Sequence, residues 1–172
     1  FNIDYPSPSN REETIDGVEI ALQHDFGDYS IPGVDLTGFG IILNATVVDS
    51  DADYNNTTAN SAHGGEFALV GISDSYNAVA YYDRYGLSAR IAYSWRDKFL
   101  NYSGVSSGYT QEYDQVDANI SYAVPGTGFT ITYDGINLNE EGRHTFERDN
   151  PAYTTWRSAG HAKHYVGLRW NY

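Results

Sequence analysis

The chain has 172 residues, a formal net charge of −13, an aromatic fraction of 15% that includes 16 Tyr, and neither Cys nor Met. That length suits about one domain, and the absence of thiols excludes disulfide scaffolds, thiolate metal sites and cysteine nucleophiles. The acidic balance argues against a nucleic-acid partner, which needs a basic stripe. No run approaches the ~18 apolar residues of a transmembrane helix.

Because position 1 is Phe, the chain is read as following a removed signal peptide or as part of a longer one. Helical periodicity is nearly absent. Alternating runs between Gly-, Asn-, Asp- and Ser-rich segments predict strands instead. In Asp16 to Phe26, Val18, Ile20, Leu22 and Phe26 share a face opposite Gly17, Glu19, Ala21 and Gln23. In Gly38 to Val48, Phe39, Ile41, Leu43, Ala45 and Val47 oppose Asn44 and Thr46. Phe67 to Asp83 is longer and less clean, with Tyr76, Ala78, Ala80 and Tyr82 on one face. Gly86 to Arg96 alternates clearly, Leu87, Ala89, Ile91, Tyr93 and Trp95 against Ser88, Arg90, Ala92, Ser94 and Arg96. Val116 to Val124 sets Val116, Ala118, Ile120, Tyr122 and Val124 against Asp117, Asn119, Ser121 and Ala123. Phe129 to Leu138 opens with Phe129, Ile131 and Tyr133 on the apolar face. The last run, His164 to Tyr172, sets Val166, Leu168, Trp170 and Tyr172 against Tyr165, Gly167, Arg169 and Asn171. Soluble domains usually fray at their termini. Here the apolar pattern strengthens up to the final aromatic, as in a closing strand of an outer-membrane β-barrel.

These runs make about seven strands of roughly 10 residues, the length of a tilted membrane-spanning strand rather than the five or six usual in globular sheets. Alternation alone fits a sandwich equally well. The connections discriminate. Asp49 to Gly65, Asp97 to Glu112 and Asn139 to Gly160 are long, Arg84-Tyr85 and Pro125-Gly126-Thr127 are short, and Gly27 to Thr37 is intermediate. If the strands run up and down, the long loops gather on one rim and the short turns on the other. Outer-membrane barrels have that asymmetry, with the C-terminus then on the periplasmic side. Such barrels have an even number of strands, eight at the fewest. Seven leave two open edges, whose unpaired amides cost several kcal/mol each in lipid. The fold expected is therefore all-β, an antiparallel up-and-down transmembrane β-barrel to which residues 1–172 contribute about seven C-terminal strands.

The runs resemble the C-terminal part of the barrel of TonB-dependent receptors of Gram-negative bacteria. The resemblance rests on Ile15-Asp16-Gly17-Val18-Glu19, Gly38-Phe39-Gly40 through Asn44-Ala45-Thr46, and Gly71-Ile72-Ser73 with Ser75-Tyr76-Asn77. It continues through Tyr81-Tyr82, Gly86-Leu87-Ser88-Ala89-Arg90, Asp117-Ala118-Asn119-Ile120-Ser121-Tyr122 and Gly135-Ile136-Asn137-Leu138. The ending, with Tyr165, Gly167, Trp170 and Tyr172, looks like the signal read by the barrel assembly machinery; the family most often ends in Phe. The resemblance implies a 22-stranded barrel with a plug in its lumen, of which this chain supplies roughly the last third of the wall. It implies an outer-membrane active transporter of a scarce ligand, an oligosaccharide in the subgroup with the closest spacing. The implied partners are the rest of the barrel and its plug, the TonB complex through an N-terminal part not found in this sequence, the assembly machinery, and outer-membrane lipid and lipopolysaccharide. No cofactor is implied. The alternatives are an iron-chelate receptor of the same fold, a passive porin or adhesive barrel, and a secreted glycan-binding β-sandwich.

The candidate ligand contacts are the loop aromatics Tyr54, Tyr102, Tyr109, Tyr113, Tyr153 and Trp156, flat faces on which sugar rings could stack; the competing reading is girdle residues or loop anchors. Asp49, Asp51 and Asp53 alternate like calcium ligands but lack the Gly and distant Glu of an EF-hand loop, so a solvated loop is the better account. His161 and His164, three apart on a strand, point to opposite faces, and His24, His63 and His144 have no ligand partners in sequence. Glu19, Arg90, Arg96, Asp117 and Arg169 are inward polar residues, read as lumen hydration before ion pairs. Arg143 and Arg148 among Glu140, Glu141, Glu147 and Asp149 read as a self-paired loop. No catalytic set is visible, so no enzymatic role is expected.

Overall fold

A computed structural model describes residues 14–27, 29–50, 70–102, 108–147 and 150–171. Among these the regular elements are all strands: β1 (Ile15–Asp25), β2 (Ser30–Ile31), β3 (Val34–Asp35), β4 (Phe39–Ser50), β5 (Ser75–Arg84), β6 (Leu87–Arg96), β7 (Phe99–Tyr102), β8 (Gly108–Thr110), β9 (Tyr113–Ala123), β10 (Phe129–Ile136), β11 (His144–Glu147), β12 (Thr154–Arg157) and β13 (Lys163–Trp170). Seven of them form one antiparallel sheet in the order β1-β4-β5-β6-β9-β10-β13. Within that sheet neighbours in space are neighbours in chain order, so it is an up-and-down meander. A four-stranded sheet, β12-β11-β8-β7, and the hairpin β2-β3 complete the described fold. No described helix is long and apolar enough to cross a membrane, which leaves strand-built spans open.

The register carries the alternation of each strand into its neighbour without a slip. Ile20 lies opposite Ala45, Ala45 opposite Tyr76, Tyr76 opposite Trp95, and Ile91 opposite both Ala80 and Ala118. Ile120 lies opposite Tyr133, which lies opposite Val166. Directly opposed residues of an antiparallel pair share a face, so all seven strands present one apolar face. It runs from Val18, Ile20 and Leu22 on β1 to Val166 and Leu168 on β13. The opposite face carries Glu19, Asn44, Asn77, Arg90, Asn119, Asp134 and Arg169. The facing expected of the residues that lie within these seven strands holds, whereas Phe26, Val124 and Asn171 fall beyond the strand ends and Tyr172 lies outside the described residues.

Neither face is packed. Val79 is the one buried apolar side chain of the seven-stranded sheet among the described residues. Across the apolar face Ile20, Leu43, Ile91, Ile120, Ile131 and Leu168 stand exposed, and Val166 reaches 80% exposure. Aromatic side chains concentrate at its two margins. Phe39 against Tyr82 (4.6 Å between ring centroids) and Phe129 against Trp170 (6.1 Å) mark one end, and Tyr76 stacked on Trp95 (5.0 Å) marks the other. Between them the residues are mostly Ala, Ile, Leu and Val, with Tyr93 on β6 and Tyr133 on β10.

The two rims differ as the loop lengths predict. On the rim of Phe39 and Trp170 lie Tyr85-Gly86, the turn at 124–128, and the segment 26–38 that holds hairpin β2-β3. Tyr85 and Gly86 both have positive φ (57° and 76°), the two-residue geometry whose twist matches a hairpin. Tyr85 tolerates it while the Arg84 guanidinium lies 4.4 Å over its ring. The other rim carries the long connections. The predicted run from Phe67 starts its strand only at Ser75, and residues 51–69 lie outside the described ones. The connections at 97–112 and 137–162 differ from expectation in being folded. They form hairpins β7-β8 and β11-β12, which join through β8 and β11.

Candidate functional site

The four-stranded sheet on the long-loop rim is the candidate for contact with a ligand. Its short strands alternate too. Leu100, Tyr109 and Phe146 lie opposite one another in register and form its core, and Tyr109 and Phe146 stack at 6.0 Å. Thr110 Oγ1 donates to Asn101 Oδ1 at 2.8 Å inside the β7-β8 hairpin. At the tip of the other hairpin, Ala152 N donates to Asn150 Oδ1 (3.0 Å) and Tyr153 N to Asn150 O (2.9 Å), an Asx-type turn. His144 ties the two hairpins together, one ring nitrogen 2.8 Å from Gln111 Oε1 and the other 2.8 Å from Thr154 Oγ1.

Below this sheet, where the last long connection leaves the wall, is a polar cleft of about 540 Å³. Glu112, Glu140, Glu141, Arg143, His144 and Arg157 line it. Three carboxylates and two guanidinium groups around one opening suit a hydroxylated or zwitterionic solute. At the neck of the connection, segments 140–142 and 158–160 approach backbone to backbone. Ser158 N donates to Arg143 O at 2.9 Å, and a Cβ on Gly160 would overlap the carbonyls of Glu140 and Glu141. Gly160→Ala should therefore open the neck, at about 1–3 kcal/mol for an overpacked site. Faster proteolysis between 138 and 162 would report it; unchanged cleavage would mean that the neck relaxes freely.

Tyr102 and Trp156 lie on the sheet face opposite Tyr109, by register. Tyr102 Oη donates to Glu147 Oε1 at 3.3 Å, and its hydroxyl pKa is raised, first by burial and then by the Glu147 charge. Trp156, Tyr153 and Tyr102 are exposed, and Tyr109 is not. At 6% exposure it is a core residue of the loop sheet, because its strand is short and alternates, and its ring is covered by Phe146. Tyr113 is also taken: the Arg143 guanidinium lies 4.8 Å over its ring, so Arg143 is not simply part of a self-paired charged loop. Tyr54, His63, Asp51, Asp53, Arg148 and Asp149 lie outside the described residues, as does Tyr172 of the ending.

On the wall, Arg96 donates to Ser73 Oγ (3.0 Å) and to the carbonyl of Gly71, and its guanidinium lies 3.8 Å over Phe99. It pins the segment before β5 to the base of β7, a role the sequence did not disclose. Asn119 donates to Asp134 (2.5 Å) and Gln115 to Asp117 (2.9 Å) along the polar face, where Arg90, Asp117, Asn119, Asp134 and Tyr165 line a further recess of about 400 Å³. Gly167 faces Thr132 and Tyr165 faces Asp134. Asp49 lies opposite Asp16. His161 precedes β13, so the opposite-face argument for the pair does not apply; His164 Nδ1 lies 2.8 Å from Tyr133 Oη. No group of three or more His, Cys, Asp or Glu is arranged to hold a metal among the described residues.

On the opposite rim, Arg84 pairs with Asp35 at 2.5 Å, holding hairpin β2-β3 against the β5-β6 turn. Hydrogen bonds from the Thr37 side chain and backbone, and then Arg84, lower the Asp35 pKa. A lowered carboxylate pKa gives a contribution present above the ordinary Asp range and lost as pH falls through the folded value. The protection factor of the Thr37 amide, its rate relative to an unstructured amide at the same pH, is expected to fall below roughly pH 4 and to stay constant near neutrality. An Asp35→Asn variant should show low protection at every pH; high protection in that variant would remove the carboxylate from the account.

Comparison with protein-family models, curated proteins and solved structures found no match to this chain.

Proposed function

We propose that the seven-stranded sheet is part of the wall of a bacterial outer-membrane β-barrel, with the apolar face toward lipid and the polar face toward the lumen. The observation that carries this reading is the unbroken exposed apolar face, bordered by aromatic residues at both margins. Soluble monomers rarely expose contiguous apolar patches of more than a few hundred Å². In lipid such a face is the required surface, with aromatic girdles at the two interfaces. The segregation of long and short connections supports the same orientation: Trp170 periplasmic and the loop sheet extracellular.

The wall serves ligand uptake. On this reading it belongs to a TonB-dependent transporter, whose loop sheet and polar cleft capture a scarce solute, an oligosaccharide by preference, before a plug is displaced. The resemblance set out above supports that step, and the cleft's mixed charges with Tyr102, Tyr153 and Trp156 nearby are compatible with it. A passive porin would share the wall and lack the plug. The sandwich alternative is disfavoured because no second sheet covers the apolar face among the described residues.

Two measurements test the reading. Expressed in a Gram-negative host together with the rest of the barrel that this reading requires, the segment should float with outer-membrane lipid and resist carbonate extraction. Quantitative recovery as a soluble species without lipid would remove the membrane assignment. Deletion of Trp170 to Tyr172 should abolish assembly into outer membranes, and normal assembly after that deletion would separate the ending from any targeting role.

A further inference from the structure

Resting on that reading, we infer that the polar cleft selects an amino sugar, a unit carrying free ammonium groups beside its hydroxyls, and that Glu140 is the residue that selects it. The first observation is which polar groups of the cleft are already engaged. The Arg143 guanidinium lies over the Tyr113 ring, 4.8 Å from its centroid. Both His144 ring nitrogens are taken, by Gln111 and Thr154. By contrast, the side chains of Glu112, Glu140, Glu141 and Arg157 make no hydrogen bond and no ion pair among the described residues. Three unengaged carboxylates and one unengaged guanidinium thus surround an opening of about 540 Å³, a volume in the range of small-molecule sites. An acidic sugar would meet mostly like charge there. A neutral sugar would offer the carboxylates only hydroxyls. An ammonium group gives them charge-assisted hydrogen bonds, roughly twice as strong as neutral ones, and leaves Arg157 for the hydroxyl or ring oxygens of the same unit.

The second observation is the backbone that carries Glu140. Asn137 and Glu140 both have a φ of 55°. Asn enters that left-handed region readily, whereas Glu seldom does. The turn is nevertheless fixed to β9. Asn137 N donates to Asp117 Oδ1 (2.8 Å), and Val116 N donates to Asn139 Oδ1 (3.0 Å). Within the turn, Glu140 N donates to Asn137 O (3.0 Å). The Asn137 side chain brackets Glu141, accepting from its N (3.2 Å) and donating to its O (3.0 Å). Glycine at position 140 would relieve the strained φ. The Glu140 side chain gives the turn no bond in return. Strain of this kind gathers at ligand clamps, and the Glu140 carboxylate lines the cleft.

The test uses the barrel purified from a Gram-negative host that expresses the segment with the rest of its wall. Titration calorimetry at mildly acidic pH, where sugar amines are charged, compares disaccharides of one linkage built from glucosamine, N-acetylglucosamine, glucose or glucuronic acid. The glucosamine dimer is expected to bind about tenfold more tightly than the acetylated or the glucose dimer, the effect of one charge-assisted hydrogen bond. Glu140→Gln should remove that preference and leave the weak binding of the neutral dimers. Glu140→Gly should do the same while the Glu141 amide keeps or gains protection from hydrogen exchange. Equal or tighter binding of the acetylated, glucose or glucuronic acid dimer would overturn the inference. So would displacement of the glucosamine dimer by calcium, which would make this a plain cation site. A Glu140→Gly variant that keeps the preference, or that loses protection at Glu141, would overturn it as well. If none of the dimers binds to an assembled barrel, the reading as a sugar-capturing transporter fails instead, and the inference falls with it.

Discussion

Replacing Ile91 with arginine is expected to cost about 2–4 kcal/mol in a membrane and to lower the yield of assembled wall sharply. Ile91 stands at mid-strand on β6, and its cross-strand neighbours Ala80 and Ala118 are small. The side chain consequently projects from the wall with 52% of its surface exposed. If that surface meets hydrocarbon, a guanidinium there must be desolvated or must drag water inward, and two alanines offer it no acceptor. If the face instead meets water, an exposed Ile-to-Arg change is worth no more than about 0.5 kcal/mol either way. The two environments thus differ several-fold in outcome. Urea unfolding from vesicles measures the cost, with Ile91→Leu as the tolerated control. A neutral arginine variant would mean that this face does not meet lipid.

Phe146→Ala is expected to dissolve the loop sheet while leaving the wall intact. Phe146 is 2% exposed and, among the described residues, shares its core with Leu100 and Tyr109. Truncating a buried Phe costs about 3–5 kcal/mol, and a four-stranded sheet of short strands with a three-residue core has little reserve. The wall shares no core side chain with it, so its hydrogen bonds should persist. Hydrogen exchange reads both at once: the amides of β8 and β11 should lose protection, and those of β6 and β9 should keep it. Equal loss in both sheets would show that the loop sheet is coupled to the wall. With the sheet gone, Trp156 and Tyr102 would no longer be held on one surface, and any solute bound at the rim should be lost with them.

How much of this was legible in the chain depends on how local the signal is. The period-2 alternation of β6 reports its two faces directly, because each residue's facing follows from its own position in the strand. The same holds for β13, and the lengths of the connections report the rims. The candidate site was less legible. Tyr102, Tyr109 and Tyr113 look equivalent in sequence, three tyrosines in one polar connection. They part company only when β8 pairs with β11, which buries Tyr109 against Phe146, and when Arg143 arrives over Tyr113 from 30 positions away. Arg96 likewise reads as a generic lumen charge until the fold brings Ser73 and Gly71 to it.

By itself, the sequence determined the alternation, the two faces and the uneven rims of a seven-stranded meander, because these follow from strand periodicity and turn chemistry. Only the tertiary structure decided that two long connections share one sheet and which aromatics that sheet consumes as core. These are consequences of pairing between segments distant in the chain, and no residue announces its cross-strand partner before the register is set.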